Sequence, residues 1–404
     1  MELKAFFDKH IGGDRVIWAV LILLSLISIV VVYSATGSLA YKVHHGNTLK
    51  MLFSQIFFSV LGLSVVFISH KFSYKFYMRM AGWAYLGGIG LLAATLVMGA
   101  SLNEGGRWLA IPGTGLMFQP SEFAKVALMM LLARELAIYQ NGEMEERSAF
   151  LRMLAYIMIA VGLIFRENFS TAAMVFVVSM ALLFVGRIGL KYIIATIAAG
   201  VAVMVVLLLL SSYVPQLHRL STWKARLERF GSNEKGIEGN YQSEQAKIAV
   251  VTGGVTGKGP GNSTQKNFLP HPYSDFVFAI IVEEYGIFGA IFTIMLYLIL
   301  AFRMGKIVKE CQSAFPALLV TGLTILFLVQ SFINMGVSVG ILPVTGQTLP
   351  LVSKGGTSIL FTSLGFGAIL SVSRYLEEQK IKGNSRNTES EEAIEYSSEY
   401  NEQA

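Results

Sequence analysis

The stretch VIWAVLILLSLISIVVVYSA, residues 16–35, contains no charged side chain and follows directly on Asp14 and Arg15. An α-helix needs about 20 mostly apolar residues to cross the hydrocarbon core of a bilayer. Similar stretches recur along the chain, and hydropathy predicts about ten spanning helices. They lie near residues 15–36, 48–69, 76–99, 119–140, 149–166, 170–186, 190–213, 275–302, 314–340 and 357–377. The predicted fold is therefore an all-α, polytopic membrane protein.

The composition excludes a water-soluble globular domain. Of the 404 residues, 54% are hydrophobic and 14% are charged, and the mean hydropathy is +0.58. The formal net charge of +6 does not indicate a nucleic-acid partner, because the basic residues lie at the ends of the predicted spans and not in one patch. The single cysteine, Cys311, excludes an internal disulfide framework and a cysteine metal cluster.

Lysine and arginine residues predict the orientation of the chain. They are concentrated in alternate loops, and short cytoplasmic loops carry such an excess. The basic residues of these loops and of the two ends include Lys4, Lys9, Arg15, Lys71, Lys75, Arg79, Arg147, Arg152, Arg187, Lys191, Arg303, Lys306, Lys309, Arg374, Lys380, Lys382 and Arg386. Both termini are therefore predicted to be cytoplasmic. The extracytoplasmic loops are then those near 37–47, 100–118, 214–274 and 341–356.

Composition also divides the chain into three parts. Residues 1–14 are predicted to form a cytoplasmic amino-terminal segment, and residues 15–378 the ten-span membrane domain. Residues 379–404 are rich in Ser, Asn and Glu and too poor in apolar residues to fold alone. They are predicted to form a disordered cytoplasmic tail, which either solubilises the end of the chain or docks on another protein.

The longest predicted outer loop, 214–274, begins with an amphipathic pattern. Four apolar residues recur at three- and four-residue steps, and basic residues occupy the other faces. The apolar residues are Leu220, Trp223, Leu227 and Phe230. The pattern is typical of a helix that lies among lipid head groups, where it either braces the loop or contacts a lipid-linked ligand. A second, short helix is predicted over 241–251.

The same loop ends in GGVTGKGPGNSTQKNFLPHPYSD, residues 253–275, which is rich in glycine. Such a segment is either a flexible loop or a cradle whose backbone amides point at a phosphate, with Lys258 and Lys266 adding positive charge. The spacing of a nucleotide-binding P-loop is absent, which argues against ATP as the ligand. Glycine content alone does not distinguish the first two interpretations.

Charged residues in the predicted spans cluster toward one side of the membrane, and such residues usually mark a functional site. Glu122 and Lys125 share one face of the fourth span, where they either form a structural ion pair or contact a ligand. Asp275 begins the eighth span at the same side and either caps that helix or faces an outer cavity. Glu283 is predicted on the wall of that cavity. Glu284 points nearly the opposite way and is predicted to pack against another helix.

Four stretches together resemble the signatures of the FtsW/RodA/SpoVE family. They are QPSEFAK at 119–125, GNSTQKNFLP at 261–270, SDFVFAIIVEEYG at 274–286 and NMGVSVGILPVTGQTLPLVSKGGTS at 334–358. The resemblance covers roughly residues 10–380. It implies a ten-span helical bundle in the cytoplasmic membrane of a bacterium. Members of this family polymerise lipid II into glycan strands, so the resemblance implies a peptidoglycan glycosyltransferase.

Matching positions carry the family's functional residues onto this chain. Asp275 stands at the place of the family's candidate catalytic aspartate, and Glu122 and Lys125 match the charged pair of its QPSE motif. Ser274, beside Asp275, and Glu283 are predicted to contact the substrate as well.

The sequence departs from the family pattern at three places. Tyr273 and Ser274 stand where the family usually has His-Thr, and Lys354 replaces the tyrosine of its SYGGSS stretch. The family's PDxGTA motif reads ENFSTA at 167–172. This last departure puts a role inferred for the aspartate of that motif in doubt.

The implied reaction is an inverting glycosyl transfer, in which the 4-hydroxyl of the acceptor sugar attacks the anomeric carbon of the donor and undecaprenyl pyrophosphate departs. Asp275 is predicted to accept the hydroxyl proton. Positive charge must stabilise the leaving pyrophosphate, with a divalent cation, Mg²⁺ or Mn²⁺, as an alternative helper. The basic candidates are Arg107, which lies beside Trp108 in an outer loop, Lys125, Lys258, Lys266 and Lys354.

The stretch GNSTQKNFLP resembles the division-type FtsW branch more than the elongation-type RodA branch. The resemblance then implies a location at the division septum. The implied partners are the septal class B penicillin-binding protein, other divisome membrane proteins and membrane lipids. Two further interpretations stay open, a lipid II flippase and a non-catalytic scaffold that activates a transpeptidase. The clustering of charges on the outer side favours an enzyme, because a flippase needs access from both faces.

Overall fold

The computed structural model describes residues 12–36, 48–98, 108–110, 117–210 and 238–402. These residues form eleven α-helices and one pair of very short strands. The helices are α1 Arg15–Ala35, α2 Thr48–Ser69, α3 Tyr74–Met98, α4 Pro120–Gln140, α5 Glu146–Glu167, α6 Phe169–Val185, α7 Leu190–Leu210, α8 Glu238–Gly253, α9 Val277–Glu310, α10 Ala314–Ser338 and α11 Thr357–Glu402. The strands β1 Leu109–Ala110 and β2 Met117–Phe118 pair antiparallel ahead of α4.

Ten of the helices lie at the ten predicted spans, and α8 lies at the predicted short helix of the long loop. Seven helices, α1, α2, α3, α5, α9, α10 and α11, are long and apolar enough to cross a membrane, and α6 and α7 are shorter apolar helices. This confirms the predicted all-α polytopic membrane fold. The predicted helix at 220–230 and Arg107 lie outside the described residues.

Helix α4 carries four charged residues, Glu122, Lys125, Arg134 and Glu135. It lies at the centre of the bundle, where it contacts α3, α5, α6, α10 and α11, and it is buried along most of its length. A helix enclosed by other helices meets protein instead of lipid, so its side chains can be polar where a neighbouring helix offers a partner. The centre of the bundle is therefore where buried charge is concentrated.

Helix α9 is broken at Gly286, whose backbone is non-helical with φ 64° and ψ −159°. The loop that follows α8 supplies the hydrogen bonds that the break removes. The N–H groups of Lys258 and Gly259 donate to the carbonyls of Glu283 and Glu284, each at 2.9 Å. In return, the N–H of Ile287 donates to the loop carbonyls of residues 254 and 255 at 3.1 and 3.2 Å. The loop backbone thus packs against the break in α9 and pairs the backbone N–H and C=O groups that the break leaves without helical partners.

This docking gives the glycine-rich stretch a role that the sequence did not predict. A Cβ at Gly257 would lie 2.2 Å from the carbonyl oxygen of Glu284, and one at Gly286 would lie 2.2 Å from that of Val255. Two main chains approach so closely here that neither position has room for a side chain. The stretch is therefore neither a flexible loop nor, at the amides of Lys258 and Gly259, a phosphate cradle, because these amides bind α9.

Gly257→Ala is expected to lower the free energy of unfolding by about 2 kcal/mol more than Gly261→Ala does. The two glycines have nearly the same φ, 78° and 81°, but nothing lies within 4 Å of a Cβ at Gly261. Gly261→Ala therefore measures the backbone strain alone, and the excess at Gly257 measures the collision with α9. Unfolding in detergent with increasing SDS provides the comparison. Equal losses for the two variants would contradict the close backbone packing.

The segment between α10 and α11, residues 339–356, enters the bundle and is called here the re-entrant segment. Its residues Leu349, Val352 and Ser353 are buried, although 341–356 was predicted to lie outside as a loop. Irregular backbone at membrane depth must find hydrogen-bond partners within the protein. Tyr297 Oη donates to the Pro350 carbonyl at 2.5 Å, and Ser28 Oγ, near the middle of α1, donates to that of Val352 at 2.6 Å. Its apolar residues are too few to resemble a span, so no local pattern predicts that this loop enters the bundle.

Helix α11 continues to Glu402, where a disordered tail over 379–404 was predicted. No proline follows Ser358, and Glu, Lys and Gln are good helix formers. A helix that already has its nucleus in the membrane extends without a new nucleation cost. Lys380 Nζ lies 2.9 Å from Glu310 Oε2 at the end of α9, which ties the beginning of this extension to the bundle.

Candidate active site

Asp275 lies immediately before α9, on the side that the basic residues predict to be extracytoplasmic. It is half-buried, and its Oδ1 accepts a hydrogen bond from Ser274 Oγ at 2.7 Å. The N-cap of α9 is Phe276, which makes no side-chain capping bond. The predicted alternative that Asp275 caps this helix is therefore wrong. Among the described residues, the Ser274 hydroxyl is the side-chain donor to the Asp275 carboxylate, which lies just before the first turn of α9.

The backbone around Asp275 is fixed by α10 and by the re-entrant segment. Asn334 Nδ2, on α10, donates to the Asp275 carbonyl at 2.9 Å and to the Gln347 carbonyl at 2.7 Å. Ser353 Oγ donates to the Ser274 carbonyl at 2.6 Å. A Cβ at Gly346 would lie 3.5 Å from Asp275 Oδ2, so the re-entrant segment also borders the carboxylate. These contacts preorganise the position of the aspartate.

Asn334 is a site residue that sequence reasoning did not single out, although it begins the fourth family-like stretch. It is 1% exposed, and its Nδ2 donates two hydrogen bonds to backbone carbonyls more than ten residues away in sequence. A buried amide inside a spanning helix is costly unless it is paired, and that cost was the available signal. The partners themselves follow only from the tertiary fold.

Glu122 and Lys125 form a closed ion pair within the bundle. Their side chains are 7% and 1% exposed, and Lys125 Nζ lies 2.8 Å from the Glu122 carboxylate. Lys125 also donates to Gln330 Oε1 at 2.7 Å, and Ser358 Oγ donates to Glu122 Oε2 at 2.8 Å. Both charges are thus satisfied by protein groups. Of the two roles left open for this pair, the geometry favours the structural one.

Gln330 and Asn334 are one turn apart on α10, and together they connect the ion pair to the aspartate. Gln330 accepts from Lys125 and donates its Nε2 to the Thr348 carbonyl at 2.9 Å. Asn334 donates to the carbonyl of the preceding residue, Gln347, and to that of Asp275. One face of α10 therefore holds the re-entrant segment at two successive residues, Gln347 and Thr348.

Glu283 and Lys258 are engaged with each other and not with Asp275. Glu283 is fully buried, and its Oε1 lies 2.6 Å from Lys258 Nζ. The N–H of Thr264 and the hydroxyls of Ser263 and Thr264 also donate to this carboxylate. This differs from the predictions that Glu283 lines the Asp275 cavity and that Lys258 offers a charge to the substrate. The pair instead fastens the long loop to α9.

Two other predicted positions have separate local partners. Lys266 Nζ donates to the Gly261 carbonyl at 2.6 Å on the exposed side of the loop. Glu284 Oε1 accepts from the Ser34 hydroxyl on α1 and from the Ser263 N–H. The prediction that Glu284 packs against another helix is confirmed.

Lys354 lies beside Asp275 on the re-entrant segment. Its N–H donates to the Tyr273 carbonyl at 2.9 Å, and its Nζ lies 5.3 Å from the centroid of the Tyr273 ring. Burial lowers the pKa of Lys354 below its ordinary value, because the charged form loses hydration. Burial and the negative charge of Asp275 raise the pKa of Tyr273. The negative charge of Asp275 therefore acts on the Tyr273 hydroxyl, whereas the pKa of Lys354 is shifted by burial alone.

The departure at ENFSTA leaves the local structure intact. Asn168 is the N-cap of α6, and its Oδ1 accepts from the N–H groups of Ser170 and Thr171 at 3.1 and 3.4 Å. Asparagine and aspartate cap helices about equally well. Thr171 Oγ1 in turn accepts from Gln347 Nε2 at 2.7 Å, which anchors the re-entrant segment on α6.

The described part of the chain contains no group of three or more His, Cys, Asp or Glu residues placed to hold a metal ion. A divalent cation at Asp275 would therefore depend on oxygen ligands from other residue types or from the substrate.

Comparison with known proteins agrees with this geometry. Residues 14–378 match the FtsW/RodA/SpoVE family, described as cell cycle protein. A probable peptidoglycan glycosyltransferase FtsW of Thiomicrospira cyclica is 32% identical over 375 residues, which cover 91% of this chain and 93% of that protein. The alignment therefore spans both proteins nearly from end to end.

Two solved structures share the fold. One is a chain of a peptidoglycan synthase complex, with a TM-score of 0.68 and 23% identity over 91% of this chain and 99% of that chain. The other is the rod shape determining protein RodA of Thermus thermophilus, with a TM-score of 0.62 and 24% identity over 90% of this chain and 97% of that chain. Together with the match over residues 14–378, these findings show that the chain belongs to the FtsW/RodA/SpoVE family.

Proposed function

We propose that this protein is a peptidoglycan glycosyltransferase that polymerises lipid II into β-1,4 glycan strands on the outer face of the cytoplasmic membrane. The observation that carries the proposal is the half-buried carboxylate of Asp275, which a hydroxyl and two backbone anchors hold at the entrance of α9. A carboxylate in such a position can accept a proton from a bound sugar hydroxyl. The relatives named peptidoglycan glycosyltransferase support the same chemistry.

The reaction needs one proton acceptor and one stabilised leaving group. The acceptor 4-hydroxyl gives its proton to the Asp275 carboxylate while its oxygen forms a bond to the anomeric carbon of the donor. The bond from that carbon to the pyrophosphate oxygen breaks at the same time, and undecaprenyl pyrophosphate leaves with the electron pair. Attack from the side opposite the leaving group inverts the anomeric centre. Positive charge near the pyrophosphate lowers the barrier further.

The orientation and the partner are part of the proposal. With both termini in the cytoplasm, Asp275 faces the side on which lipid II must be assembled into the wall. The fold is shared with a chain of a peptidoglycan synthase complex, which supports a class B penicillin-binding protein as the partner. The relatives named FtsW support a place at the division septum over the elongation role of RodA.

Incubation of the purified protein with lipid II in detergent tests the proposal. Glycan strands of many units, resolved by electrophoresis, are the expected product, and addition of the penicillin-binding partner is expected to increase their amount. Asp275→Asn prepared in the same way controls for contaminating polymerases. If neither preparation yields strands with or without the partner, the protein is no polymerase, and lipid II movement across vesicles becomes the activity to measure.

A further inference from the structure

His271 and Tyr273, which shortly precede Asp275 in the chain, form a cluster with Lys354 of the re-entrant segment and Met51 of α2. Tyr273 and Lys354 are joined through their backbones at 2.9 Å, and His271 Nδ1 lies 3.3 Å from Tyr273 Oη. Met51 of α2 closes the cluster with its Sδ 2.9 Å from Lys354 Nζ. The hydrogen bond from Ser353 Oγ to the Ser274 carbonyl holds the two chain segments of this cluster against each other.

Lys354 differs from two of the other predicted lysines, Lys125 and Lys258, in its partners. Lys125 is paired with Glu122 and Lys258 with Glu283. The Nζ of Lys354 instead meets a thioether sulfur and the face of an aromatic ring, and no carboxylate pairs with it in the described part of the chain. Neither contact neutralises a full positive charge, and partial burial makes an uncompensated charge costly. An anion at this position would restore the balance.

The remaining members of the cluster are suited to the same kind of anion. His271 is exposed and has a φ of 57°, a strained left-handed conformation that non-glycine residues rarely adopt and that often marks functional sites. Prolines at 270 and 272 restrict the chain on both sides of it. The imidazole and the Tyr273 hydroxyl can each donate to an oxygen next to the one that Lys354 binds.

We infer that Lys354, Tyr273 and His271 form a binding site for the pyrophosphate of the lipid-linked sugar donor. The inference rests on the proposed function and specifies which residues hold the leaving group. Phosphate oxygens accept from a lysine ammonium, a phenol and an imidazole together. The position beside Asp275 is where the pyrophosphate must lie when the donor's anomeric carbon is within reach of the acceptor.

Binding of farnesyl pyrophosphate to the purified protein, measured by isothermal titration, tests this site without any turnover. Lys354→Met, which keeps the length of the side chain and removes its charge, is expected to weaken binding by about tenfold or more. Lys354→Arg is expected to retain most of the affinity. Lys306→Met, the same change at the opposite end of the bundle, serves as the matched control and is expected to bind as the wild type does. Farnesol, which has no phosphate, is expected to show no difference among the variants.

Lipid II kinetics separate this inference from the proposed function. Weaker farnesyl pyrophosphate binding in Lys354→Met, in a protein that makes no strands, would support the anion site and overturn the polymerase. Unchanged binding in Lys354→Met, in a protein that does make strands, would overturn the site and keep the polymerase. An equal loss of affinity for farnesol would also overturn the proposed anion site, because the lysine would then stabilise the fold and not bind the phosphate. Thermal unfolding of each variant verifies that the bundle is intact.

Discussion

Asp275→Asn is expected to reduce the rate of glycan strand synthesis by about 10²–10⁴-fold, the range that a positioned general base contributes. Asparagine keeps the size of the side chain and can still accept from Ser274 Oγ, which now donates at 2.7 Å to the carboxylate. The backbone anchors from Asn334 and Ser353 do not involve the carboxylate. The variant therefore removes the proton acceptor and leaves its surroundings in place.

The measurement is the initial rate of lipid II polymerisation with equal amounts of folded protein. Ser274→Ala is the matched control, because it removes the hydroxyl donor and keeps the carboxylate, and it is expected to cost much less than Asp275→Asn. Strand synthesis by Asp275→Asn at a tenth of the wild-type rate or better would show that another group takes the proton.

Lys125→Met is expected to lower the free energy of unfolding by about 3–5 kcal/mol, because it leaves the Glu122 carboxylate buried without its counter-ion. Ser358 Oγ, at 2.8 Å, is then the remaining hydrogen-bond donor to Glu122 among the contacts described above. The double variant Glu122→Gln with Lys125→Met is expected to recover much of the loss, since no charge is then buried. Unfolding in SDS of the wild type, of Glu122→Gln and Lys125→Met alone, and of the double variant gives the coupling energy of the pair.

The double variant also decides between the two roles that the sequence left open for this pair. Recovery of both stability and strand synthesis would establish a structural pair. Recovery of stability with strand synthesis still lost would show that the charges contact the substrate, contrary to the enclosed geometry.

The spans could be predicted because membrane insertion depends on local composition. Apolar runs predict ten helices, and a helix of the structure lies at each of them. The three-residue spacing of Glu122 and Lys125 likewise places their side chains close together on α4. The family-like stretch at 274–286 likewise singles out Asp275. These are features in which a few neighbouring residues carry the whole signal.

The features that could not be predicted depend on contacts between distant segments. Gly257 and Gly286 are required because two segments of main chain, 29 positions apart in the numbering, approach closely. The sequence shows only that glycines are dense around Gly257, which suggested a flexible loop or a phosphate cradle. Glu283 lies on α9, eight residues after Asp275 in the sequence, yet its carboxylate pairs with Lys258 of the long loop. The path of residues 339–356 into the bundle follows from the hydroxyls of Ser28 and Tyr297, which no local pattern reveals.

Helix α10 has a structural role that follows from the placement of Gln330 and Asn334. Phe332, between them, is 45% exposed on the outer surface of the bundle, whereas both amides point inward to the ion pair and to the Asp275 backbone. One face of α10 thus joins the ion pair, the re-entrant segment and the Asp275 backbone through two amides. The positions of the aspartate and of the Glu122–Lys125 pair therefore depend on the same helix.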